Sequence, residues 1–322
     1  MADGGLKDKR LGWVGAGRMG ASLATRLLSA GCDLAVYNRT RAKAAPLGEL
    51  GAAIVDSPSD LADRDIVFTM VSGPDDFKHV VCGEAGLLSA EGAAPAVIVD
   101  STTVSPAASA EVREETERRG THLLAAPVSG NPKVVDAGML TIVVSGPEEA
   151  YRAVAPYLDL LAAGVTYVGE GERARLVKIC HNVMLGVVAQ SLAEITVLAE
   201  KGGISRADFL DFLNDSVMGS MFTRYKTPAL VKLDFTPTFT PELLLKDFDL
   251  GFDAARGHGV PMPVAAAAAE IVRGMHGFGY DDTDFAALLE IEARASGLRL
   301  EPEDVPVSDG LEAAPQPAPV RA

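Results

Sequence analysis

The chain has 322 residues, a formal net charge of −15 and 48% hydrophobic residues. This length accommodates two domains with separate cores. Nucleic acids and anionic membranes attract basic surfaces, so the negative charge argues against both as partners. The three cysteines and five histidines are scattered and show neither a disulfide framework nor metal-ligand spacing, so we expect no metal. Without a signal peptide or an apolar run of membrane-spanning length, we expect a cytoplasmic protein.

The first half of the chain alternates short apolar strands with helices. Strands are predicted at residues 11–14, 34–37, 52–55, 66–70, 97–100, 123–126, 140–145 and 165–168, with helices at 21–28, 41–49, 75–82, 105–119 and 147–161. Continuous apolar strands joined by helical crossovers are typical of a parallel sheet covered on both faces. We therefore predict an α/β fold whose N-terminal domain, residues 8–170, is a doubly wound Rossmann domain.

The pattern changes to helices alone after Gly169-Glu170-Gly171. Helices are predicted from about residue 176 to 201 and at 206–214, 241–256, 264–275 and 284–295. Residues 171–300 are therefore predicted to form a C-terminal all-α domain. The last segment, residues 301–322, combines five prolines with small and acidic residues, and we expect it to be disordered.

A glycine-rich turn lies between the first predicted strand and the first predicted helix. Its six residues are Gly15, Ala16, Gly17, Arg18, Met19 and Gly20. The first glycine permits a tight turn, the second lets the backbone approach a pyrophosphate, and the third allows the helix to pack on the strand. The helix N-terminus then directs its N–H groups toward the phosphates. The turn predicts a dinucleotide cofactor.

The residues that follow the second strand indicate which dinucleotide is bound. In enzymes that use NAD, an acidic residue about 20 positions after the last glycine binds the ribose 2′-hydroxyl. This chain has Asn38, Arg39 and Thr40 there instead. A guanidinium and hydroxyl donors suit a 2′-phosphate, so the sequence favours NADP, with NAD still possible. A second explanation for Thr40, compatible with the first, is that it caps the helix that begins near Arg41.

Lys178 and Asn182 are four residues apart in an apolar segment that is predicted to be a buried helix. Residues at this spacing share one face of a helix. Burial disfavours the charged form of a lysine, so we expect the pKa of Lys178 to fall toward the range useful for proton transfer. A carboxamide beside it would orient a substrate oxygen. The alternative is a lysine that extends from a packed helix to water.

Three loops besides the glycine-rich turn follow predicted strands. They are Val71-Ser72-Gly73-Pro74, Asp100-Ser101-Thr102-Thr103 and Pro127-Val128-Ser129-Gly130-Asn131-Pro132. Ligands of open α/β sheets bind beyond the carboxyl ends of the strands. The third loop would present backbone N–H groups and a hydroxyl to a carboxylate. Together these loops predict a site for a small carboxylate substrate.

The order of these motifs resembles that of the β-hydroxyacid dehydrogenase family, which includes 3-hydroxyisobutyrate dehydrogenase and tartronate semialdehyde reductase. The resemblance extends from about Arg10 to Leu298. It rests on the glycine-rich turn, the Ala126-Pro127-Val128-Ser129-Gly130 segment, the Lys178-x-x-x-Asn182 pair and Lys246-Asp247. It implies hydride transfer between NADP(H) and a small β-hydroxyacid or its semialdehyde, carried out by a homodimer or homotetramer.

The resemblance also implies a role for each matching residue. Ser129 and Gly130 would bind the substrate carboxylate. Lys178 would donate or accept the proton, and Asn182 would hydrogen-bond the substrate. Lys246 would close over cofactor and substrate, and Val71, Ser72 and Thr103 would contact the cofactor.

Three features depart from the family pattern. Asn131-Pro132-Lys133 follows Ser129-Gly130 where many members have a glycine, which predicts a stiffer loop with an extra cation. His181 stands where an asparagine is common and is expected to point about 100° away from Asn182. The segment 218–226 would face the pocket, and its aromatic residues suggest a larger or more apolar substrate.

Two other functions remain open from the sequence. An imine reductase shares this architecture but generally lacks the lysine. A non-enzymatic cofactor-binding scaffold would be expected to lose it. The presence of Lys178 argues against both.

Overall fold

The structure, a computed structural model, describes residues 8–311. These residues form two compact units, residues 8–178 and residues 179–311. The first unit combines strands and helices, and the second is helical. The predicted class, an α/β domain followed by an all-α domain, is therefore confirmed. The division falls after Lys178, whereas the sequence placed it near residue 170.

The main sheet of the first unit has six parallel strands. These are β1 (Arg10–Val14), β2 (Asp33–Tyr37), β3 (Ala53–Ile54), β4 (Ile66–Thr69), β5 (Val97–Asp100) and β6 (His122–Ala125). Their order is β3-β2-β1-β4-β5-β6, the arrangement of dinucleotide-binding Rossmann domains. The order reverses between β1 and β4, and ligands of such sheets bind beside that reversal at the carboxyl ends of the strands.

Helices cover both faces of this sheet. They are α1 (Arg18–Ser29), α2 (Arg41–Glu49), α3 (Pro74–Cys82), α4 (Pro106–Arg118), α5 (Pro132–Asp136) and α6 (Glu148–Leu161). Strands β4 and β5 are buried along their whole length, as expected of strands covered on both sides. Trp13 on β1 stacks on Phe68 of β4, with ring centroids 5.6 Å apart. The core therefore lies directly beneath the glycine-rich turn that follows β1.

The last two predicted strands do form, but they lie outside the main sheet. β7 (Val128–Ser129), β8 (Thr141–Val144) and β9 (Gly164–Tyr167) make a separate three-stranded sheet, with β7 antiparallel to β8 and β9 parallel to it. The prediction of one continuous sheet was wrong on this point. An apolar run predicts a buried strand and carries no information about which strand pairs with it.

The second unit contains six helices, the first of which begins in the first unit. They are α7 (Arg173–Lys201), α8 (Arg206–Asp215), α9 (Met221–Lys232), α10 (Pro241–His258), α11 (Pro263–Gly277) and α12 (Leu288–Ala295). Helix α9 was not predicted, because Thr227 and Pro228 are poor helix formers. A capping box between Ser220 and Thr223 starts it.

Helix α7 is longer and more apolar than predicted. It has 29 residues, and an 18-residue window within it has a mean hydropathy of 1.5, which satisfies the length and composition of a membrane span. The statement that no apolar run reaches this length was therefore wrong. Half of that window is buried within the protein. Its exposed apolar residues, among them Met184 and Leu198, also contradict the prediction of a helix buried on nearly every side.

A buried ion pair stabilises the second unit. Lys226 on α9 donates from Nζ to Asp284 Oδ1 at 2.5 Å and to Thr238 Oγ1 at 3.2 Å. Burial alone would raise the pKa of Asp284, but the charge and hydrogen bond of Lys226, with the hydrogen bonds from Thr238 and Ala286, lower it. The Lys226 side chain, at the end of the segment 218–226, therefore lies in the core of this unit.

We expect Lys226→Met to lower the free energy of unfolding by about 3–5 kcal/mol at neutral pH, because it leaves a buried carboxylate without its partner. Since the pKa of Asp284 is lowered by folding, its stabilisation exists above the ordinary carboxyl pKa and is lost as the pH falls through the folded value. The difference between variant and wild type should therefore shrink in acid. Chemical denaturation at several pH values measures it, and Lys232→Met, at the exposed end of α9, is the control. A difference independent of pH would contradict this account.

The first part of the segment predicted to be disordered is ordered. The Glu303 carboxylate accepts from the backbone N–H groups of Arg206 at 2.7 Å and Ala207 at 3.0 Å, at the start of α8. The Arg206 guanidinium donates to the Glu301 carbonyl at 2.6 Å. An anion at a helix N-terminus is a favourable arrangement that composition alone does not reveal. Residues 312–322 of the predicted tail lie outside the described residues.

Candidate active site

The carboxyl ends of the central strands lie in one row. Val14 pairs in register with Tyr37 on one side and with Thr69 on the other, Thr69 pairs with Asp100, and Asp100 pairs with Ala125. The loops that follow these residues therefore begin side by side at one edge of the sheet. They include the glycine-rich turn and the loops that carry Asn38, Val71 and Thr103.

The geometry of the glycine-rich turn requires its first and third glycines. Gly15 has a φ of +103°, and a Cβ atom there would collide with the carbonyl oxygen of Met70. A Cβ at Gly20 would collide with the carbonyl oxygen of Gly15. The Trp13 indole also donates to that oxygen, at 2.8 Å, so the turn is held from below. Around Gly17, by contrast, no heavy atom lies within 4 Å of the position of a Cβ.

The start of α1 suits the phosphates of a dinucleotide. Gly17 is the N-cap residue, and neither a side-chain cap nor an acidic residue occupies the first turn of the helix. The N-terminus of a helix attracts anions through its unpaired N–H groups and its dipole. The open space at Gly17 lets a phosphate approach the backbone. This turn therefore fits the predicted cofactor.

Asn38 holds two segments of the cofactor site together. Its Oδ1 accepts from the Ala16 N–H at 2.8 Å, and its Nδ2 donates to the Thr40 carbonyl at 2.8 Å. The side chain that was predicted to face the ribose thus also ties the glycine-rich turn to the loop after β2. The sequence offered no signal of the bond to Ala16, because that residue is 22 positions away.

Arg39 lies beside an aspartate that sequence reasoning missed. Its Nη1 lies 3.0 Å from Asp76 Oδ1 on α3, and the Arg39 side chain is 79% exposed. The Thr40 side chain makes no capping hydrogen bond to α2, although Thr40 is the N-cap residue by position. The alternative in which the hydroxyl caps the helix is therefore wrong. The exposed guanidinium of Arg39 and the hydroxyl of Thr40, which makes no capping hydrogen bond, both lie in the loop that is predicted to bind a 2′-phosphate.

The loops after β4 and β5 are linked to each other. The Val71 N–H donates to Thr102 Oγ1 at 3.1 Å, which fixes one predicted cofactor contact against the residue before another, Thr103. Ser72 is exposed at the start of its loop, and Thr103 is half-buried. The structure therefore brings these three predicted cofactor residues to the same sheet edge as the glycine-rich turn.

The predicted carboxylate-binding turn has a conformation that only glycine adopts readily. Ser129 ends β7, and Gly130 has a φ of +144°. A Cβ at Gly130 would lie 2.8 Å from Val134 Cγ1 and 2.9 Å from Leu140 Cδ1. Asn131 then caps the short helix α5 by accepting from the Val134 N–H at 3.1 Å. The departure from the family pattern is thus a capped turn in which Lys133 is exposed.

Asn182 is buried and has partners at both ends of its carboxamide. Nδ2 donates to Asp247 Oδ2 at 2.6 Å, and Oδ1 lies 2.9 Å from His181 Nδ1. Because a carboxylate only accepts, the amide nitrogen must face Asp247, and His181 must then carry its proton on Nδ1. The expectation that His181 points away from Asn182 was therefore wrong. One amide hydrogen and one lone pair of Asn182 remain for a substrate.

The contact between α7 and α10 holds this aspartate in place. A Cβ at Gly251 on α10 would collide with Val183, so the two helices can approach closely only because a glycine stands there. Asp247 is buried, and Lys246, the predicted substrate and cofactor contact next to it, is half-buried. Lys178 is also half-buried on α7 rather than fully buried as predicted.

Residues of the second unit thus form one group, with Asn182 and Asp247 bonded and Lys246 adjacent. The cofactor residues, Ser129-Gly130 and Lys178 belong to the first unit.

Sequence reasoning missed Asp76 and the role of Asp247. It also missed Arg175, a buried arginine three residues before Lys178. The available signal was Asp100, a charged residue at the end of an apolar strand, whereas Arg175 lies among other charged residues in the sequence.

The sheet order and the geometry of the glycine-rich turn define a dinucleotide-binding domain. Residues 10–169 match the family described as the NAD binding domain of 6-phosphogluconate dehydrogenase. Residues 172–291 match the family described as NAD-binding of NADP-dependent 3-hydroxyisobutyrate dehydrogenase. The chain therefore belongs to the β-hydroxyacid dehydrogenase family, and it is an NAD(P)-dependent hydroxyacid dehydrogenase by class.

Individual relatives cover most of the chain. Glyoxylate/succinic semialdehyde reductase 2 of Arabidopsis thaliana is 31% identical, over 87% of this chain and 78% of its own. 2-(Hydroxymethyl)glutarate dehydrogenase of Eubacterium barkeri is 30% identical, over 91% and 97%. A 3-hydroxyisobutyrate dehydrogenase structure from Salmonella typhimurium has a TM-score of 0.78 at 27% identity, over 88% and 100%. An imine reductase from Pseudomonas sp. shares the fold, with a TM-score of 0.58 at 20% identity over 88% and 98%.

Proposed function

We propose that the protein transfers hydride between NADP(H) and a small β-hydroxyacid or its semialdehyde, with Lys178 as the general acid or base. The observation that carries this proposal is Lys178 on α7, four residues before an Asn182 that Asp247 holds in one orientation. Residues four apart lie on the same face of a helix. A proton-transfer group and an oriented carboxamide thus share the face of α7.

NADP is the proposed cofactor. Arg39 and the uncapped hydroxyl of Thr40 lie after β2, and no acidic residue follows that strand directly. The matching family for the second half of the chain is described as NADP-dependent, which agrees with this choice. When bound, the nicotinamide accepts or gives the hydride. The protein orients the substrate and the cofactor and transfers the proton.

The proposed reaction in the oxidative direction needs three actions from the protein. Ser129 and Gly130 bind the substrate carboxylate. This places the β-carbon of the substrate, which carries the hydroxyl, toward Lys178. The neutral amine of Lys178 takes the hydroxyl proton as the C–H bond breaks and the C=O bond forms. The free amide hydrogen of Asn182 donates to the same oxygen. General acid–base catalysis of this kind contributes about 10²–10⁴-fold.

The substrate class follows from relatives and from chemistry. The named substrates of the relatives are glyoxylate, succinic semialdehyde, 2-(hydroxymethyl)glutarate and 3-hydroxyisobutyrate, all of them small carboxylates with a carbonyl or hydroxyl. Phe222, one of the aromatic residues of the segment 218–226, is half-buried and packs against the core of the second unit, so it gives no support for a bulkier substrate.

A substrate panel with both cofactors tests the proposal. It contains these four compounds, a cyclic imine, NADP(H) and NAD(H), with the rate followed by nicotinamide absorbance. We expect turnover of at least one carboxylate and none of the imine. Reduction of the imine alone would favour the imine reductase alternative. Cofactor binding without any turnover would favour a non-enzymatic scaffold, which the position of Lys178 argues against.

We also propose that the protein is a homodimer or a larger homo-oligomer that pairs through α7. Exposed or half-exposed apolar residues recur along this helix at spacings of four, seven and three residues, at Met184, Val188, Ile195 and Leu198. Spacing of this kind marks a helix seam that packs on another helix. A stripe on one copy is self-complementary across a two-fold axis.

Changing this stripe should therefore dissociate the oligomer. We expect Met184→Glu with Leu198→Glu to halve or quarter the mass measured by light scattering after size exclusion, because four buried charges would face each other in each dimer. Phe212→Glu is the control, since Phe212 is 73% exposed on α8, outside the stripe. A wild type that is already monomeric would contradict the proposal.

A further inference from the structure

A buried polar network lies under the loops that follow β4 and β5. Asp100, the last residue of β5, has no exposed surface. Its Oδ1 accepts from Thr69 Oγ1 at 2.5 Å and from Thr102 Oγ1 at 2.7 Å. Thr102 Oγ1 in turn accepts from the Val71 N–H. One carboxylate therefore fixes the ends of two adjacent strands and the first residues of both loops.

Arg175 completes this network from the first turn of α7. Its side chain is 1% exposed. Nη2 donates to Asp100 Oδ2 at 2.6 Å, Nη1 to the Thr102 carbonyl at 2.6 Å, and Nε to Ser109 Oγ at 3.2 Å. The planar guanidinium suits this arrangement, because its donors point in fixed directions that a lysine does not reproduce.

A second arginine reinforces the same turn. Glu172, just before α7, accepts from Arg113 Nε at 2.6 Å and lies 3.8 Å from Arg175 Nε. Arg113 also donates to the Gly171 carbonyl at 3.2 Å. The beginning of α7 is therefore held to the sheet edge by charged contacts as well as by packing.

Lys178 lies three residues after Arg175. Residues three apart are neighbours on one side of a helix, about 4.5 Å apart along its axis at 1.5 Å per residue. A shift or rotation of the first turn of α7 would therefore move Lys178 by a similar amount. The anchor of that turn is the Asp100 carboxylate, which also holds Thr102 and, through it, Val71.

We infer that Arg175 is a positioning residue that sets the catalytic lysine relative to the loops that hold the cofactor. This inference rests on the role proposed for Lys178. A buried ion pair is weak evidence for stability, since apolar residues of similar size often stabilise as well. The Arg175–Asp100 pair lies between the cofactor loops and helix α7, which carries Lys178, and this position gives the pair a function in catalysis. Displacement of a reacting group by about 1 Å can cost about 10²-fold in rate.

Two variants test the inference. Arg175→Lys keeps the charge and loses the fork of donors. The double variant Arg175→Met with Asp100→Asn removes both charges, so that no buried carboxylate is left unpaired. We expect both to lower kcat at least tenfold with a substrate KM within about threefold of wild type, and to weaken NADP binding severalfold. NADP affinity is measured without turnover, by quenching of Trp13, the single tryptophan, which bonds to the glycine-rich turn.

Arg206→Lys is the matched control. Arg206 is as buried as Arg175 and pairs with Glu200 and Glu303, but it belongs to the second unit. It should lower the unfolding temperature and leave kcat and NADP affinity unchanged. If Arg175→Lys does not fold, the double variant carries the same test.

The outcomes separate this inference from the proposed function. If both Arg175 variants fold and keep kcat and NADP affinity within twofold of wild type while Lys178→Ala is inactive, the inference fails and the proposed function stands. If Lys178→Ala remains active, the proposed function fails and Arg175 positions no catalytic lysine. If Arg206→Lys lost as much kcat as the Arg175 variants, the inference would also fail, because the loss would then reflect lower stability in general.

Discussion

Lys178→Ala should lower kcat at least 100-fold and change NADP(H) affinity by less than threefold. Loss of a general acid or base typically costs about 10²–10⁴-fold, and 100-fold corresponds to about 2.7 kcal/mol of barrier. Affinity should persist because the cofactor residues lie on the glycine-rich turn and the loops after β2, β4 and β5. Absorbance gives the rate, and quenching of Trp13 gives the affinity.

Lys201→Ala is the matched control for this prediction. Lys201 ends the same helix and donates to the Ser296 carbonyl at 2.6 Å, far along α7 from Lys178. Its removal should leave kcat within about twofold of wild type. A residual kcat of Lys178→Ala within tenfold of wild type would contradict the assignment of Lys178 as the proton-transfer group.

Local sequence patterns predicted most of the first unit. The apolar runs of β1, β4 and β5 are short and continuous, as strands buried on both faces require. The glycine-rich turn could be recognised because its glycine spacing and its strand-turn-helix context are local, as is the collision that a Cβ at Gly20 would make with Gly15. Features that depend on neighbouring residues are those that a sequence displays most directly.

Features that depend on distant partners were not predicted. The Arg175–Asp100 pair joins residues 75 positions apart, and the bond from Asn182 to Asp247 spans 65. A charged residue in an apolar run signals that a partner exists without identifying it. The pairing of β8 and β9 outside the main sheet and the docking of Glu303 on α8 have the same cause. Each depends on where the chain returns after a long excursion.

The resemblance located residues that geometry alone would not select, and the structure changed the picture of two of them. Asn182 was expected to serve the substrate, but half of its hydrogen-bonding capacity is directed to Asp247 and His181. Lys178 was expected to be buried and is half-buried. Their assigned roles in catalysis stay predictions, whereas their immediate surroundings are now defined.

Changing the loop after β2 should reverse the cofactor preference. We expect wild type to favour NADP by at least tenfold in kcat/KM, and Asn38→Asp with Arg39→Leu to weaken NADP and improve NAD. A charge-assisted hydrogen bond to the 2′-phosphate contributes about 1.5–3 kcal/mol, which the leucine removes. The new carboxylate repels the phosphate and accepts from a free 2′-hydroxyl. It keeps the acceptor for the Ala16 N–H and loses the donor to the Thr40 carbonyl, so the variant should also be less stable than wild type.

Asp76→Asn provides a test of opposite sign at the same site. Asp76 pairs with Arg39 and adds a negative charge where the 2′-phosphate is proposed to bind. Exposed ion pairs contribute about 0.2–1 kcal/mol, so the neutral asparagine should raise kcat/KM for NADP by about 1.4- to 5-fold and leave NAD unchanged. Arg39→Leu alone should lower kcat/KM for NADP at least tenfold. Arginine also stacks on adenine in either cofactor, and that contact would weaken NADP and NAD equally when Arg39 is removed. Kinetics with both cofactors at one ionic strength distinguish the two contacts. Equal losses in Arg39→Leu, or a wild type that prefers NAD, would contradict the NADP assignment while leaving the fold and the catalytic lysine unaffected.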